Sequence, residues 1–405
     1  MSTVEMEVFS NTQLVILTIL MFIGGEVFTS MVALYLRRFF FKVSHKVESV
    51  STTEIDTEVL KQKSLKLLGF VVLFYLLFVH VLGVVSVFTY INVISSARNI
   101  VNKKGLHEVT FSIFTIVSTF SNCGFIPTNE NMVIFRKNSG LLLILIPQIL
   151  LGNTLYPPVL RFTIWAIGKI TKKAETSYLL KNSKQLGYHH LLSCQHSLLL
   201  VITVLGFLMV QFILFSSLEW SSGSLGDLNV FQKLVGIFFQ TVSTRHTGES
   251  VVDLSIISAS VLVLFVVMMY LPPYTSYLPI GEETREQGRK RSSKVMDNLI
   301  FSQLTYLVIF IILVCIIERK QMVNDPLNFN ILNIVLEVIS AYGNVGLSTG
   351  YSCDRRLKPN GGCENKWYGF SGKFSDKGKV VIIVVMLFGR LKKFNINGGK
   401  AWKLM

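Results

Sequence analysis

The sequence predicts an all-α integral membrane protein built from repeated units of helix, pore helix with loop, and helix, the first unit being incomplete. Two observations lead to this fold class. The chain of 405 residues is 51% hydrophobic, with a mean hydropathy of +0.53, which is too apolar for an ordinary soluble protein. Several apolar runs also reach about 20 residues, the length that crosses a bilayer. The lipid bilayer is therefore the expected partner of most of the surface.

Six segments are predicted to span the membrane. Segments 14–36 and 140–168 each hold one charged residue, Glu26 and Arg161 respectively. Glu26 is expected either to pair across helices or to make a structural hydrogen bond. The other four contain no Lys, Arg, Asp or Glu and comprise 67–94, 197–218, 254–273 and 299–317.

The formal net charge of +15 comes largely from basic residues that cluster between the spans. This pattern is typical of the positive-inside rule, so no nucleic-acid partner is expected. The rule places the basic loop 37–66 in the cytoplasm. Segment 355–379 is an exception, because it carries seven basic residues on the side assigned as external.

An internal repeat follows the hydropathy. Three short apolar segments, 109–120, 230–243 and 331–342, each end at polar residues and a glycine, and each is followed by another span. They are too short to cross a bilayer, which predicts re-entrant pore helices whose loops turn carbonyls towards an ion path. One such segment fits an external turn equally well. Three in the same order favour pore loops.

The start of the chain matches a segment that follows one of these loops. Gly346 precedes Leu347-Ser348-Thr349, and the chain begins Met1-Ser2-Thr3. Aligning the two triplets predicts that the outer helix, pore helix and filter loop of the first unit are absent from this sequence. The predicted organisation is a remainder of the first repeat (1–36), a cytoplasmic loop (37–66), the second repeat (67–169), a cytoplasmic loop (170–196), the third repeat (197–274), a cytoplasmic loop (275–298), and the fourth repeat with its C-terminal tail (299–405).

Seven blocks of sequence resemble the plant high-affinity K⁺ transporters (HKT) of the Trk/Ktr/HKT superfamily, and they cover nearly the whole chain in the family's order. They are MSTVEMEVFSNTQL from Met1, GGEVFTS from Gly24, STFSNCGFIPTNENM from Ser118, GNTLYPP from Gly152, STRHTGES from Ser243, AYGNVGLSTGYSC from Ala341 and LFGRLKKFNINGGKAWKL from Leu387.

The resemblance implies pseudo-fourfold repeats around one pore. It implies filter glycines at Gly124, Gly248 and Gly346. The adjoining filter residues would be Asn122, Cys123, His246, Thr247, Asn344 and Val345. Arg245 and His246 are expected to support the filter from behind, because its carbonyls can face the axis while side chains point away.

The resemblance also implies the transported ion. The first filter position, Ser in Na⁺-selective relatives and Gly in K⁺-permeable ones, would precede Met1, and the opening block is more similar to the Na⁺-selective subfamily. Na⁺ uniport in the plasma membrane is therefore the favoured function, with no cofactor and with a homo-oligomer left open. The alternatives are a K⁺ transporter or Na⁺/K⁺ symporter, and a non-conducting truncated form.

Arg390 is predicted to constrict the pore. Only ten uncharged residues separate it from Lys379, too few to span, so the last helix is expected to draw it to membrane depth. The resemblance implies a position below the filter, where it limits cation flow. The alternative is snorkelling to the cytoplasmic face beside Lys392 and Lys393.

The remaining reactive residues give weaker signals. Cys353 and Cys363 share a Gly-rich segment and are candidates for a disulfide, although spacing alone does not establish the geometry. A membrane metalloenzyme is an alternative because of the cluster of His189, His190 and His196, but a ligand set needs more partners. No CxxC pair and no Walker motif occur, so neither a metal site nor ATP-driven transport is expected.

Overall fold

The computed structural model describes residues 2–44, 52–183, 186–271, 274, 303–355 and 366–395. The predicted loop 275–298 lies outside these residues. The described part contains no β-strand, only an isolated bridge between Tyr351 and Lys366, and the predicted all-α class is confirmed. Its helices are α1 (Asn11–Gly24), α2 (Glu26–Ser44), α3 (Thr52–Val93), α4 (Ser95–Lys103), α5 (Glu108–Ser121), α6 (Ser139–Gly152), α7 (Tyr156–Thr171), α8 (Ala174–Lys181), α9 (Cys194–Glu219), α10 (Val230–His246), α11 (Ala259–Tyr270), α12 (Gln303–Ile317), α13 (Arg319–Asn324), α14 (Ile331–Gly343) and α15 (Asp376–Asn395).

Two described helices are long and apolar enough to cross a membrane unaided. They are α9 and the segment Val59–Val93 of α3, with mean hydropathies of 2.8 and 2.6. Only 28% of the apolar window of α9 is buried within the protein, so most of its surface is available to lipid. Counting two sharply bent helix pairs as one span each raises the total to four among the described residues.

The first predicted span is bent rather than straight. Helices α1 and α2 meet at 56° where Gly25 adopts an extended conformation, with φ −61° and ψ 141°. A Cβ on Gly25 would lie 2.9 Å from the hydroxyl of Ser121 at the end of α5. The small residue lets the bend approach that pore helix closely. The single continuous helix expected over 14–36 therefore becomes two.

The segment 140–168 is bent more strongly, with α6 and α7 meeting at 82°. The chain leaves helical geometry at Asn153, and Pro157 stands in the first turn of α7, where its missing N–H costs nothing. A Cβ on Gly152 would overlap the carbonyl oxygen of Phe120 in α5. The bend therefore also lies against the end of a pore helix.

The span expected over 254–273 is shorter in the structure. Leu254–Ile256 forms a 3₁₀ turn, and the α-helix runs only over Ala259–Tyr270. The first residues of the apolar run are instead a connection that leads from the preceding loop into the helix. Hydropathy did not separate this connection from the helix because both are apolar.

The three segments predicted as pore helices are α5, α10 and α14. Every residue of α5 from Phe111 to Phe120 except Ile113 is buried. Burial all round is what distinguishes a helix inside a bundle from one on its surface. The same holds for α14, where Glu337 is among the fully buried residues.

The third and fourth predicted repeats each contain the same kind of hydrogen bond, made by a glutamate at the end of the repeat's first helix. In the third, Glu219 at the end of α9 accepts the N–H of Ser258, 2.9 Å away, just before α11. In the fourth, Glu318 after α12 accepts the N–H of Ser375, also at 2.9 Å, just before α15. Each carboxylate thus satisfies a backbone donor next to a helix start, where negative charge is favoured.

Candidate functional site

The loop after α5 turns at two left-handed residues. Asn122 has φ 56° and Gly124 has φ 73°. Asparagine is one of the few non-glycine residues that adopt this conformation readily. The N–H of Cys123 between them donates to the carbonyl of Ser118 at 2.9 Å, which holds the loop against the end of its own helix.

The loop after α14 repeats this geometry. Asn344 has φ 54° and Gly346 has φ 91°. The N–H of Val345 donates to the carbonyl of Ser340 at 3.0 Å. The sequences of the two loops share only the Asn-X-Gly pattern, so backbone geometry rather than side-chain chemistry is what they have in common.

The loop after α10 reaches its glycine one residue sooner. The helix continues to His246, and Thr247 keeps φ −96° in the right-handed region. Gly248 alone is left-handed, with φ 76°, and its N–H donates to the carbonyl of Ser243 at 3.1 Å. The predicted helix end at Ser243 is therefore three residues too early.

The three loops meet. A Cβ on Gly124 would overlap the carbonyl oxygen of Thr247, and a Cβ on Gly248 would overlap the carbonyl oxygen of Val345. The hydroxyl of Thr247 also donates to the side-chain oxygen of Asn122 at 2.8 Å. The backbones of neighbouring loops are therefore in contact at the predicted filter. Backbone carbonyl oxygens of such loops can replace the water around a monovalent cation.

A cavity of about 310 Å³ opens beyond the three glycines and is here called the vestibule. Its walls are the segments that follow each glycine, together with Ser2 and Met6 from the start of the chain. Glu130, Asp253 and Lys366 are among the charged residues that line it. The vestibule therefore reaches all three glycine loops.

Lys104 ties the start of the chain to the vestibule wall. Its amine lies 2.7 Å from carboxylate oxygens of both Glu7 and Glu130. Burial opposes the charge of Lys104, but the hydrogen bonds to the two carboxylates outweigh it and raise the pKa of the amine. The backbone N–H of Glu7 also donates to the side chain of Asn129 at 2.9 Å.

Arg390 lies on the last helix and reaches the bend of the first span. Its Nη2 donates to the carbonyl of Gly24 at 2.7 Å. The preceding residue, Gly389, packs so closely that a Cβ would overlap the carbonyl oxygen of Tyr342 in α14. Arg390 is therefore next to the end of a pore helix rather than at the end of its own helix.

Two side chains just before Gly248, the glycine of the third repeat, are buried. Arg245 and His246 are 3% and 6% exposed. The guanidinium carbon of Arg245 lies 5.1 Å from the ring centre of Phe207 in α9, which is a cation–π distance. This side chain is directed at the outer helix of its own repeat, so it is not directed at the neighbouring filter loops.

The histidine cluster is used for structural hydrogen bonds. His190 Nδ1 lies 2.9 Å from the hydroxyl of Tyr274, and His196 Nδ1 lies 2.6 Å from the hydroxyl of Ser193, the N-cap of α9. Within the described residues, no group of three or more His, Cys, Asp or Glu side chains is arranged to hold a metal ion.

The cysteines fall into two groups. Cys353 is disulfide-bonded, whereas its predicted partner, Cys363, lies outside the described residues, so the pairing stays a prediction. The free cysteines include Cys123 in the filter loop, which is partly exposed. The others are Cys194 and Cys315.

Sequence reasoning missed two buried acids next to the three glycine loops and their helices. Glu249 follows Gly248 directly, and Glu337 lies within α14; both are 0% exposed. Glu337 accepts the N–H of Ser371 at 2.9 Å, and Glu249 accepts the hydroxyl of Thr119 at 2.5 Å. An acid inside an apolar membrane segment is the signal that would have identified Glu337.

Comparison with known proteins gives matches over almost the whole chain. The family model described as TrkH, cation transport protein, matches residues 1–281 and 287–396. The sodium transporter HKT1 of Arabidopsis thaliana is 49% identical over 436 residues, covering 100% of this chain and 86% of that protein. The cation transporter HKT1;3 of Oryza sativa subsp. japonica is 47% identical, with 100% and 82% covered, and HKT2;4 of the same plant is 40% identical, with 96% and 82% covered.

Proposed function

Because the chain belongs to the TrkH family of cation transport proteins, we propose that it conducts Na⁺ passively across the plasma membrane through a filter of backbone carbonyls. Membership of this family makes it a membrane transporter of monovalent cations. The preference for Na⁺ is supported by the similarity to a relative named as a sodium transporter, which is identical at 49% of aligned positions.

The observation that carries the proposal is the meeting of the three glycine loops. The close approach of Gly124 to the carbonyl of Thr247, and of Gly248 to the carbonyl of Val345, brings the backbones of neighbouring repeats into contact. Backbone oxygens of such loops offer a dehydrated cation ligands in place of water. Non-helical backbone at membrane depth is tolerated where it lines such a path.

Arg390 limits the flow of cations below the filter. Its hydrogen bond to the carbonyl of Gly24 supports this role over snorkelling, because the guanidinium is directed from the last helix to the first. A fixed positive charge beside an ion path raises the barrier to cations. The bend between α1 and α2 positions the carbonyl that Arg390 contacts.

The filter is tested by Gly346→Arg, expressed in oocytes and measured by voltage clamp in Na⁺ solution. We expect loss of the inward Na⁺ current, because a side chain is strained at φ 91° and would enter or distort the ion path. Gly223→Arg is the matched control, since nothing lies within 4 Å of a Cβ at that exposed glycine. A Gly346→Arg current equal to that of the unmodified protein would overturn the filter assignment.

The transported ion and the assembly are measured with the same preparation. Na⁺ uniport predicts inward currents that persist when K⁺ is withdrawn, whereas a symporter would lose them. Surface labelling of intact cells tests the plasma-membrane location. Mass determination of the detergent-purified protein tests whether it is a homo-oligomer.

A further inference from the structure

Glu249 connects two neighbouring repeats behind the filter. Its side chain is 0% exposed, and Oε1 accepts a hydrogen bond from the hydroxyl of Thr119 at 2.5 Å. Thr119 belongs to α5, the pore helix of the second repeat. The backbone carbonyl of Glu249 accepts the hydroxyl of Ser243 in α10 at 2.6 Å. One residue is thus hydrogen-bonded to its own pore helix and to that of its neighbour.

This connection lies beside the contact between the loop after α5, in the second repeat, and the loop after α10, in the third repeat. Glu249 directly follows Gly248, and two residues before it Thr247 donates to Asn122 of the second loop. The carbonyl of Thr247 is the atom that a Cβ on Gly124 would overlap. If Glu249 moves, the carbonyl of Thr247, only two residues away, is therefore expected to move relative to the loop after α5.

Among the three glycine loops, the loop after α10 has a carboxyl side chain directly after its glycine. The residues that follow the other two glycines are Phe125 and Leu347, and neither carries a polar side chain. The second carboxylate oxygen of Glu249 is buried and has no hydrogen-bond partner among the described residues. The side chain therefore relies on Thr119 for its hydrogen bond.

We propose that Glu249, held by the hydroxyl of Thr119, is a positioning residue that sets the preference of the filter for Na⁺ over K⁺. This inference rests on the proposed function. A hydrogen bond in the protein interior is electrostatically stronger than one in water, and this one keeps the loops of the second and third repeats at one separation. Loosening it lets the carbonyls move apart, which favours K⁺ because K⁺ is the larger ion.

The test compares isosteric changes on one pore helix. Thr119→Val removes the donor and keeps the shape, whereas Thr119→Ser keeps the hydroxyl. Thr115→Val is the matched control, because Thr115 lies one turn earlier in α5, is 0% exposed, and its hydroxyl has no partner among the described residues. Glu249→Asp shortens the connection from the other side. The readout is the Na⁺/K⁺ permeability ratio from reversal potentials, at matched surface levels.

We expect Thr119→Val and Glu249→Asp to lower the Na⁺/K⁺ ratio by about fivefold, the scale of one lost hydrogen bond. Thr119→Ser and Thr115→Val are expected to keep the ratio of the unmodified protein. Unchanged ratios in both disruptive variants would overturn the inference and leave the proposed function standing. The inference would also be overturned if neither Thr119→Val nor Glu249→Asp reached the cell surface while Thr115→Val did, because the contact would then serve folding only. Absence of cation current in the unmodified protein would instead refute the proposed function.

Discussion

Adding one methyl group to Gly152 or to Gly389 should destabilise the protein. At Gly152 the new Cβ would overlap the carbonyl oxygen of Phe120, and at Gly389 that of Tyr342. Both oxygens belong to the backbone of pore helices, so neither can rotate away as a side chain would. The helix that carries the alanine must move instead. Overpacking of this kind costs about 1–3 kcal/mol.

The same substitution at Gly206 should instead stabilise the protein. Gly206 lies inside α9, and no atom lies within 4 Å of a Cβ built on it. Alanine there gains up to about 1 kcal/mol in helix propensity without meeting a neighbour. The difference between Gly206→Ala and either packed variant should therefore be about 1–4 kcal/mol, the sum of these two effects.

The three variants are compared by their melting temperatures in detergent, followed by intrinsic fluorescence and by the fraction that stays monodisperse after heating. We expect Gly152→Ala and Gly389→Ala to melt several degrees below the unmodified protein, and Gly206→Ala to melt at or above it. If the packed variants melted as high as Gly206→Ala, the contacts between these glycines and the pore helices could not be as close as the structure has them.

Three further changes test other parts of the structure. Arg390→Gln should raise inward Na⁺ current several-fold and Arg390→Lys should not; equal currents at matched surface levels would contradict the constriction. Glu318→Ala removes the acceptor of both the N–H and the hydroxyl of Ser375, at 2.9 and 2.6 Å, so melting should reflect a loss of about 1–3 kcal/mol, whereas Asp376→Ala, at a fully exposed side chain, should change little. The pKa of Lys104 is raised above its ordinary value of 10.5. The charged amine therefore contributes its full stabilisation below pH 10.5, and this contribution is lost as the pH rises through the pKa of the folded state. Lys104→Met should therefore melt below the unmodified protein at pH 8, and a gap that did not narrow at strongly alkaline pH would count against the ion pairs.

The three short helices and the glycines that follow them could be predicted from the sequence because their signals are local. A short apolar segment followed by polar residues and Gly124 or Gly346 predicts a re-entrant loop without knowledge of the rest of the chain. The structure has positive φ at both glycines and brings the loops together. The all-α membrane class was equally accessible, since it depends only on the length and composition of apolar runs.

The bends and the contacts behind the filter could not be placed in this way. Gly25 and Gly152 stand within apolar runs, where a glycine that permits a bend has the same sequence signal as one that only packs. Thr119 and Glu249 are 130 positions apart, and nothing near either residue indicates the other. Such pairs depend on how whole helices pack, which periodicity does not report.

The hydrogen bond between Arg390 and Gly24 also constrains the timing of assembly. The two residues are 366 positions apart, and the N–H of Gly369 similarly reaches back to the carbonyl of Ser2 at 2.9 Å. Because the ribosome makes the N-terminal end first, α1 and α2 enter the bilayer well before α15 has been synthesised. We therefore expect the contact between Arg390 and Gly24 to form late in biogenesis. Until it forms, the carbonyl at the bend between α1 and α2 lacks the donor that Arg390 supplies in the folded protein.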